Sequence, residues 1–359
     1  MANKKEVTAP NVSVGADTEQ PLNVLNNSIS NYPPKNNSKV LETVSMAELY
    51  DTVYPSKPPL IDGLLYTGTY LFAGAPKLGK SFLMAQIAYH ISRGIPLWDY
   101  PVRKAAVLYL ALEDDYRRLQ ERLYRMFGTD GTDNLFFSVS AGNLGNGLDE
   151  QLQEFMKQHT DTRLIIIDTL QKVREVGGDN YSYANDYEII TRLKQFADSY
   201  GICILLVHHT RKQSSDDKFD MISGTTGLLG AADGAFLLQK EKRIGNAATL
   251  EVSGRDQQDQ KLYLVRNTET LLWELQKAET ELWKEPPEPL LERIAEIFSS
   301  DSKVWEGTPT ELCGYLGVDM QPNALTRKLN VNAGRLLDEY GIHYENSRNR
   351  NERRVKFFR

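Results

Sequence analysis

The sequence predicts an α/β fold: a twisted, mostly parallel sheet flanked by helices, followed by a small helical module that ends in a β-hairpin. Three observations carry this expectation. Short, nearly continuous apolar runs at residues 70–73, 105–112, 164–167 and 202–207 alternate with segments of helical period, the pattern of strands buried on both faces. The first run passes through a glycine-bounded loop directly into a helix beginning near Lys80. Stacked prolines at 285–289 then bar regular structure and set off a compact module of different composition.

The chain has 359 residues, enough for one large and one small domain. Hydrophobic residues at 41% and charged residues at 25% are ordinary for a soluble globular protein. A net charge of −6 leaves no global nucleic-acid footprint, so any such contact has to come from local basic patches. Cys203 and Cys313 lie in distant segments, which excludes a disulfide framework and a cysteine metal cluster and suits a reducing, cytoplasmic setting. No apolar run reaches membrane-spanning length, so no membrane partner is expected. The lysine-bearing N-terminus lacks the apolar stretch of a signal peptide.

Taken in order, residues 1–40 are rich in Asn, Ser, Pro and Thr and read as a disordered tail. Residues 41–284 are assigned to the main domain. Ser45 and Glu48 form a capping box for a short helix over 45–54. The proline-rich stretch 54–62 follows, with Tyr54 placed either against a nucleotide base or in a surface loop. Residues 74–81 then fit G-x-x-x-x-G-K-[ST], with Gly74, Gly79, Lys80 and Ser81 at the fixed places. At average composition the four positions would match somewhere in such a chain about one time in a hundred. Phosphates need this spacing for a physical reason. Glycines let successive N–H groups converge on one anion, and the helix N-terminus adds unpaired donors and a positive dipole end. Gly74, Ala75, Pro76, Lys77, Leu78, Gly79, Lys80, Ser81 and Phe82 are the expected phosphate-binding residues, with Lys80 as point charge and the Ser81 hydroxyl as a Mg²⁺ ligand.

The run 105–112 ends in Glu113-Asp114-Asp115, carboxylates at the strand end where open α/β sheets bind ligands. Asp114 or Asp115 caps the helix 116–127, whose Arg117, Arg118, Arg122 and Arg125 read as a solvated basic face. A strand at 135–139 and a helix at 148–159 lead to Leu164-Ile165-Ile166-Ile167-Asp168, a Walker B pattern whose Asp holds the water shell of Mg²⁺. Thr169 follows where many ATPases of the AAA+ type place a catalytic Glu, so Glu113 is the matching carboxylate. Polar loops at 171–185 and 213–223 flank the helix 186–200 and the strand 202–207, which ends in His208-His209. Strands at 235–239, 248–253, 262–266 and 271–275 close the domain, with Gly254-Arg255-Asp256 as an interruption.

After the linker, residues 290–359 form three or four short helices and a hairpin, the pattern of a winged helix-turn-helix. Thr308 and Glu311 form a second capping box, with Pro309 at the first helical position. From Ser347 to the end, six basic residues face one acidic residue, a local charge of about +5 in an acidic chain.

With GAPKLGKS, ALEDD, LIIIDT and VHHTRK in this order, the chain resembles the RepA-like branch of the RecA/DnaB-type P-loop ATPases, which includes hexameric replicative helicases of plasmids and phages. The resemblance covers roughly residues 54–272 and implies a RecA-like core that binds ATP and Mg²⁺. It implies that Lys80 and Ser81 hold phosphate and Mg²⁺, that Glu113 polarises the attacking water, and that Asp168 orients the metal. It implies that His209, with His208 beside it, senses the γ-phosphate and links it to DNA-facing loops at 171–185 and 213–223. Arg255 resembles the finger position at which DnaB-type rings supply positive charge to a neighbouring subunit. RepA-like helicases can instead carry an Arg before a Gly-Ser-Ser stretch, where this chain has Ser223 before Gly224-Thr225-Thr226.

Two functions follow as expectations. One is an ATP-driven DNA helicase working as a homo-hexamer, on single-stranded DNA through the core loops and on duplex DNA through the C-terminal domain. The other is a DNA-binding ATPase that remodels or switches without unwinding. A recruiting module using ATP only as an assembly ligand is opposed by Glu113, because a binding switch needs no water-activating carboxylate. Small-molecule kinases share the P-loop but usually carry an arginine-rich lid and no strand-end histidine pair.

Overall fold

The computed structural model describes residues 43–54, 57–174, 183–211, 218–222, 226–240, 245–255, 257–279, 286–298, 304–348 and 352–359. The expected tail, residues 175–182 of the first polar loop, and residues 213–217 and 223 of the second with the Gly224-Thr225 that follow, lie outside these residues. α1 (Met46–Asp51) opens on the capping box read from the sequence, with the Glu48 N–H donating to Ser45 Oγ at 3.2 Å and the Ser45 N–H to Glu48 Oε2 at 2.7 Å. The core then alternates through β1 (Gly68–Gly74), α2 (Lys80–Arg93), β2 (Ala106–Ala111), α3 (Tyr116–Phe127), β3 (Leu135–Ser138), α4 (Leu148–Gln158), β4 (Thr162–Asp168), α5 (Leu170–Val173), α6 (Tyr183–Tyr200) and β5 (Cys203–His209). It closes with α7 (Thr226–Ala231), β6 (Gly234–Gln239), β7 (Ala247–Gly254), β8 (Gln257–Arg266) and β9 (Trp273–Ala278).

Among the described residues these strands form one sheet in the order β3-β2-β4-β5-β1-β6-β7-β8-β9. From β3 to β6 every neighbouring pair is parallel. β7, β8 and β9 add antiparallel strands at one side. The continuous apolar runs are explained by burial on both faces. In β1, Tyr70 and Phe72 enter one core while Leu71 and Ala73 enter the other. In β4, Leu164 and Ile166 divide from Ile165 and Ile167 in the same way. Side chains of a strand alternate, so a strand covered by helices on both sides is apolar at nearly every position. The antiparallel extension differs: Ala248, Leu250, Val252, Leu262 and Leu264 all join the α2-side core.

The arginines of α3 form the expected solvated face only in part: Arg117, Arg118 and Arg125 are exposed, while Arg122 turns inward. Arg122 is nearly buried and makes a two-pronged contact with Asp114, at 2.7 and 3.1 Å. Arg125 reaches across to the carbonyls of Thr268 and Glu269 between β8 and β9. The helix packs between the sheet and that turn, so long side chains that spacing alone would send to water find partners.

The C-terminal module comprises α8 (Pro289–Ile297), β10 (Trp305–Gly307), α9 (Pro309–Leu316), α10 (Pro322–Val331), α11 (Ala333–Tyr340), β11 (His343–Arg348) and β12 (Arg353–Phe358). Its strands form a small antiparallel sheet in the order β10-β12-β11, around a core that includes Leu291, Leu312, Leu325, Leu336 and Phe357. Three-residue β10 has no sequence counterpart, since a strand that short shows no period. α1, which the sequence placed with the main domain, packs against α10: the Asn330 side chain donates to the Tyr50 carbonyl at 2.9 Å, and Val53 packs on the module's core. Among the described residues no helix is long and apolar enough to cross a membrane.

Candidate active site

The site is assembled at the C-terminal ends of β1, β5, β4 and β2. Strand register brings these ends level: Gly74 pairs with His209, Asp168 with Val207, and Ala111 with Asp168. β5 thus stands between the P-loop strand and the Walker B strand, and β2 lies on the far side of β4.

The loop after β1 has the backbone that an anion cradle needs. Gly79 has φ +103° and Lys77 φ +63°, turning successive N–H groups toward one side. A Cβ on Gly74 would lie 2.7 Å from the Leu238 carbonyl and 3.4 Å from Lys80 Cδ. One on Gly79 would lie 3.1 Å from the Trp273 ring and 3.3 Å from the Arg266 guanidinium. Close approach of the Leu238 backbone thus requires glycine at 74, and the left-handed φ requires it at 79. Lys80 is almost buried, and its Nζ donates to the carbonyls of Gly74 at 2.8 Å and Ala75 at 3.1 Å. Burial pulls its ammonium below the ordinary lysine value, while Asp168 and Glu113 oppose the shift.

Asp168 is buried, accepts from the Tyr109 hydroxyl at 2.9 Å, and is also bonded by the Ser81 side chain. Burial raises its pKa above the usual carboxylate value, and the bonds from Ser81 and Tyr109 hold it back. A hydroxyl and a carboxylate side by side are hard oxygen donors, which fits Mg²⁺ shared with phosphate oxygens. Ser81 and Asp168 are the residues that would hold the metal, which when bound would neutralise phosphate charge. Sequence reasoning missed Tyr109. Its signal was available: it carries the one side-chain polar group in the buried strand 106–111, and a buried hydroxyl needs a partner.

The triplet after β2 divides into three roles. Asp115 is the N-cap of α3, accepting from the Arg118 N–H at 2.8 Å. Asp114 is consumed by Arg122 and by Arg118 at 3.4 Å. Glu113 is left facing the site, where its Oε1 accepts from the Thr169 hydroxyl at 3.3 Å and its charge acts on Lys80, Asp168 and His209. Thr169 therefore orients the carboxylate contributed by the neighbouring strand.

His209 Nδ1 lies 3.3 Å from Lys80 Nζ. Burial and then the Lys80 charge hold its pKa below the ordinary value, so the ring is neutral at neutral pH. With Lys80 donating to Nδ1, the ring proton sits on Nε2, available to a further acceptor. His208 does not join it: adjacent residues of a strand face opposite ways, and His208 is buried. Arg255 is not brought to the site either. Gly254 pairs with Gly234 at the start of β6, the sheet end away from the P-loop. There the Arg255 side chain donates to the Gly230 carbonyl at 3.0 Å and lies 3.8 Å from Asp233. Among the described residues, Arg266 approaches the P-loop from β8, its guanidinium 3.9 Å from the Phe82 ring centroid, with Arg122 over the same ring at 5.0 Å.

Tyr109→Phe keeps the ring and removes one bond to a buried charged group. Such bonds are worth about 1.5–3 kcal/mol, and loss of a residue supporting a metal ligand typically costs about tenfold or more in metal affinity. The Mg²⁺ concentration for half-maximal turnover should rise by that factor, with the variant still folded. An unchanged Mg²⁺ titration would remove Tyr109 from the site.

Fold and site together define a P-loop nucleoside triphosphatase with a RecA-like core. Residues 35–215, just over half of the chain, match the AAA domain family, and the chain belongs to that family. Among solved structures it is similar to the ATPase domain of another protein, with a TM-score of 0.50 and 16% identity over 59% of this chain and 85% of that one. It is also similar to a DnaB-like replicative helicase described with its interactions with primase, with a TM-score of 0.47 and 18% identity over 58% of each chain. No curated protein matches the sequence.

Proposed function

We propose that the chain is an ATP-hydrolysing, DNA-dependent motor of the helicase type, of the RepA-like branch and working as a ring of identical subunits, with residues 41–284 as motor and 290–359 as a DNA-binding module. The observation that carries hydrolysis over mere binding is Glu113: a carboxylate just past the end of β2, in no ion pair among the described residues, oriented by Thr169 and acting by its charge on Lys80, Asp168 and His209. In this reading Lys80 and the loop N–H groups bind the β- and γ-phosphates, Glu113 takes a proton from the attacking water, and His209 Nε2 donates to a γ-phosphate oxygen. Positioning and charge neutralisation supply most of the catalysis that phosphoryl transfer needs. Arg255 enters only as a cation offered to a neighbouring subunit, since its own sheet holds it away from Lys80; a finger in trans is worth about 10³–10⁵ in rate.

The second reading, a DNA-binding ATPase that does not unwind, shares the whole site and differs in what hydrolysis moves. One preparation decides between them. ATP turnover should depend on Mg²⁺, rise when single-stranded DNA is added, and accompany strand separation on a forked substrate. Stimulation without separation selects the second reading, and turnover indifferent to DNA would defeat both.

A further inference from the structure

The C-terminal module carries an open polar cleft of about 560 Å³ between the starts of α9 and α10 and the β11–β12 hairpin. Arg327, Arg348 and Arg353 line it, with Thr308 and Asn323 at the helix ends. α9 closes its own N-terminus with the Thr308–Glu311 capping box, whereas the first turn of α10 has no capping side chain. The cleft already holds an anion. Asp51, at the end of α1, accepts from Arg327 Nε at 3.1 Å through one oxygen and lies 3.3 Å from the Arg353 guanidinium through the other. Two guanidinium groups sharing the oxygens of one anion is the geometry arginine uses for phosphate as well as carboxylate. The Arg327 bond, first, and Arg353 hold the Asp51 carboxyl below the usual range. Arg348 makes no ion pair among the described residues, and Glu352, the other carboxylate of the cleft, pairs with Arg354 at 3.4 Å.

A purely structural latch is the plainer account of Asp51. Yet α1 buries no residue of its own and is also held through Asn330 and Val53, and partly exposed ion pairs hold weakly. A weak latch made of an anion in a three-arginine cleft is displaced by a better anion. The cleft opens to solvent, and the adjoining segment from Ser347 carries six basic residues against one acidic, a charge balance that suits a polyanion.

We propose that this cleft seats a backbone phosphate of duplex DNA, and that Asp51 fills the seat until the duplex displaces it. The proposal rests on reading the C-terminal module as DNA-binding. It assigns Arg327, Arg348 and Arg353 to phosphate and makes the docking of α1 compete with DNA.

The test uses the full-length chain and a labelled short duplex, titrated over a range of salt. Asp51→Asn should bind roughly three- to tenfold tighter at low salt, with the log–log salt slope steeper by about one to two, because each neutralised phosphate contributes about 0.9. Replacing Arg327, Arg348 and Arg353 together by Ala should weaken binding roughly tenfold or more. Adding Asp51→Asn to that variant should give no gain. Equal or weaker binding by Asp51→Asn, with an unchanged slope, overturns the competition. If the arginine variant binds normally while Arg354→Ala with Lys356→Ala binds weakly, the seat is wrong and the module reading stands. If neither set changes binding, that reading falls too. Thermal unfolding of each variant confirms that it is folded, and should Asp51→Asn fail to fold, the two sets of basic-residue variants still decide whether the cleft is the seat.

Discussion

Lys80→Ala should lose ATP binding and turnover together, with turnover falling by about 10²–10³ or more, the range for removing one preorganised donor from developing charge. The reason is position more than charge alone. The ammonium is held almost out of water at the mouth of the loop by the Gly74 and Ala75 carbonyls and His209 Nδ1, so it is already in place and turns one N–H to phosphate when it arrives. It is also the hub of the site's electrostatics, opposed by Asp168 and Glu113 and bonded to His209. Binding of a fluorescent ATP analogue and steady-state phosphate release check the two losses separately. Turnover within about threefold of the parent would mean that the loop is not the phosphate site.

Glu113→Gln should separate what Lys80→Ala removes together. Glutamine keeps the size of the side chain and an oxygen to accept from Thr169, but cannot take a proton. ATP affinity should therefore survive while the hydrolytic step slows by about 10²–10⁴, the usual contribution of a positioned general base. Single-turnover hydrolysis is the measurement, because it isolates the chemical step. Asp114 and Asp115 offer no substitute, one being held by Arg122 and Arg118 and the other closing the first turn of α3. Hydrolysis at the parent rate would assign the base to another group and leave Glu113 as a charge that only tunes Lys80.

How much was legible beforehand can be traced residue by residue. The P-loop strand, its helix start at Lys80 and the Walker B run were readable because each is a local pattern with a local cause: glycine freedom, helix capping, or burial on both faces. The capping boxes at Ser45 and Thr308 were readable for the same reason and are present. The histidine pair was legible as a strand end but not as one residue facing Lys80 and the other buried away from it, a choice set by the register of β5 on β1. Of the α3 arginines, Arg122 departs from the solvated face because helical spacing shows which residues share a face and not what packs against it. Nothing local placed Arg266 over Phe82, or Asp51 against an arginine 276 positions away.

By itself, then, the sequence determined the kinds of element and the phosphate-binding loop, since dihedral preference, period and capping act over a few residues. Which strand lies beside which was decided only in the folded sheet. There, parallel pairing of β2 with β4 and of β5 with β1 carries Glu113 and His209 to the same edge as Lys80 and Asp168, while the antiparallel turn back through β7 carries Arg255 to the opposite edge. Contacts between distant segments depend on how whole faces are buried together, and no short stretch of chain records that.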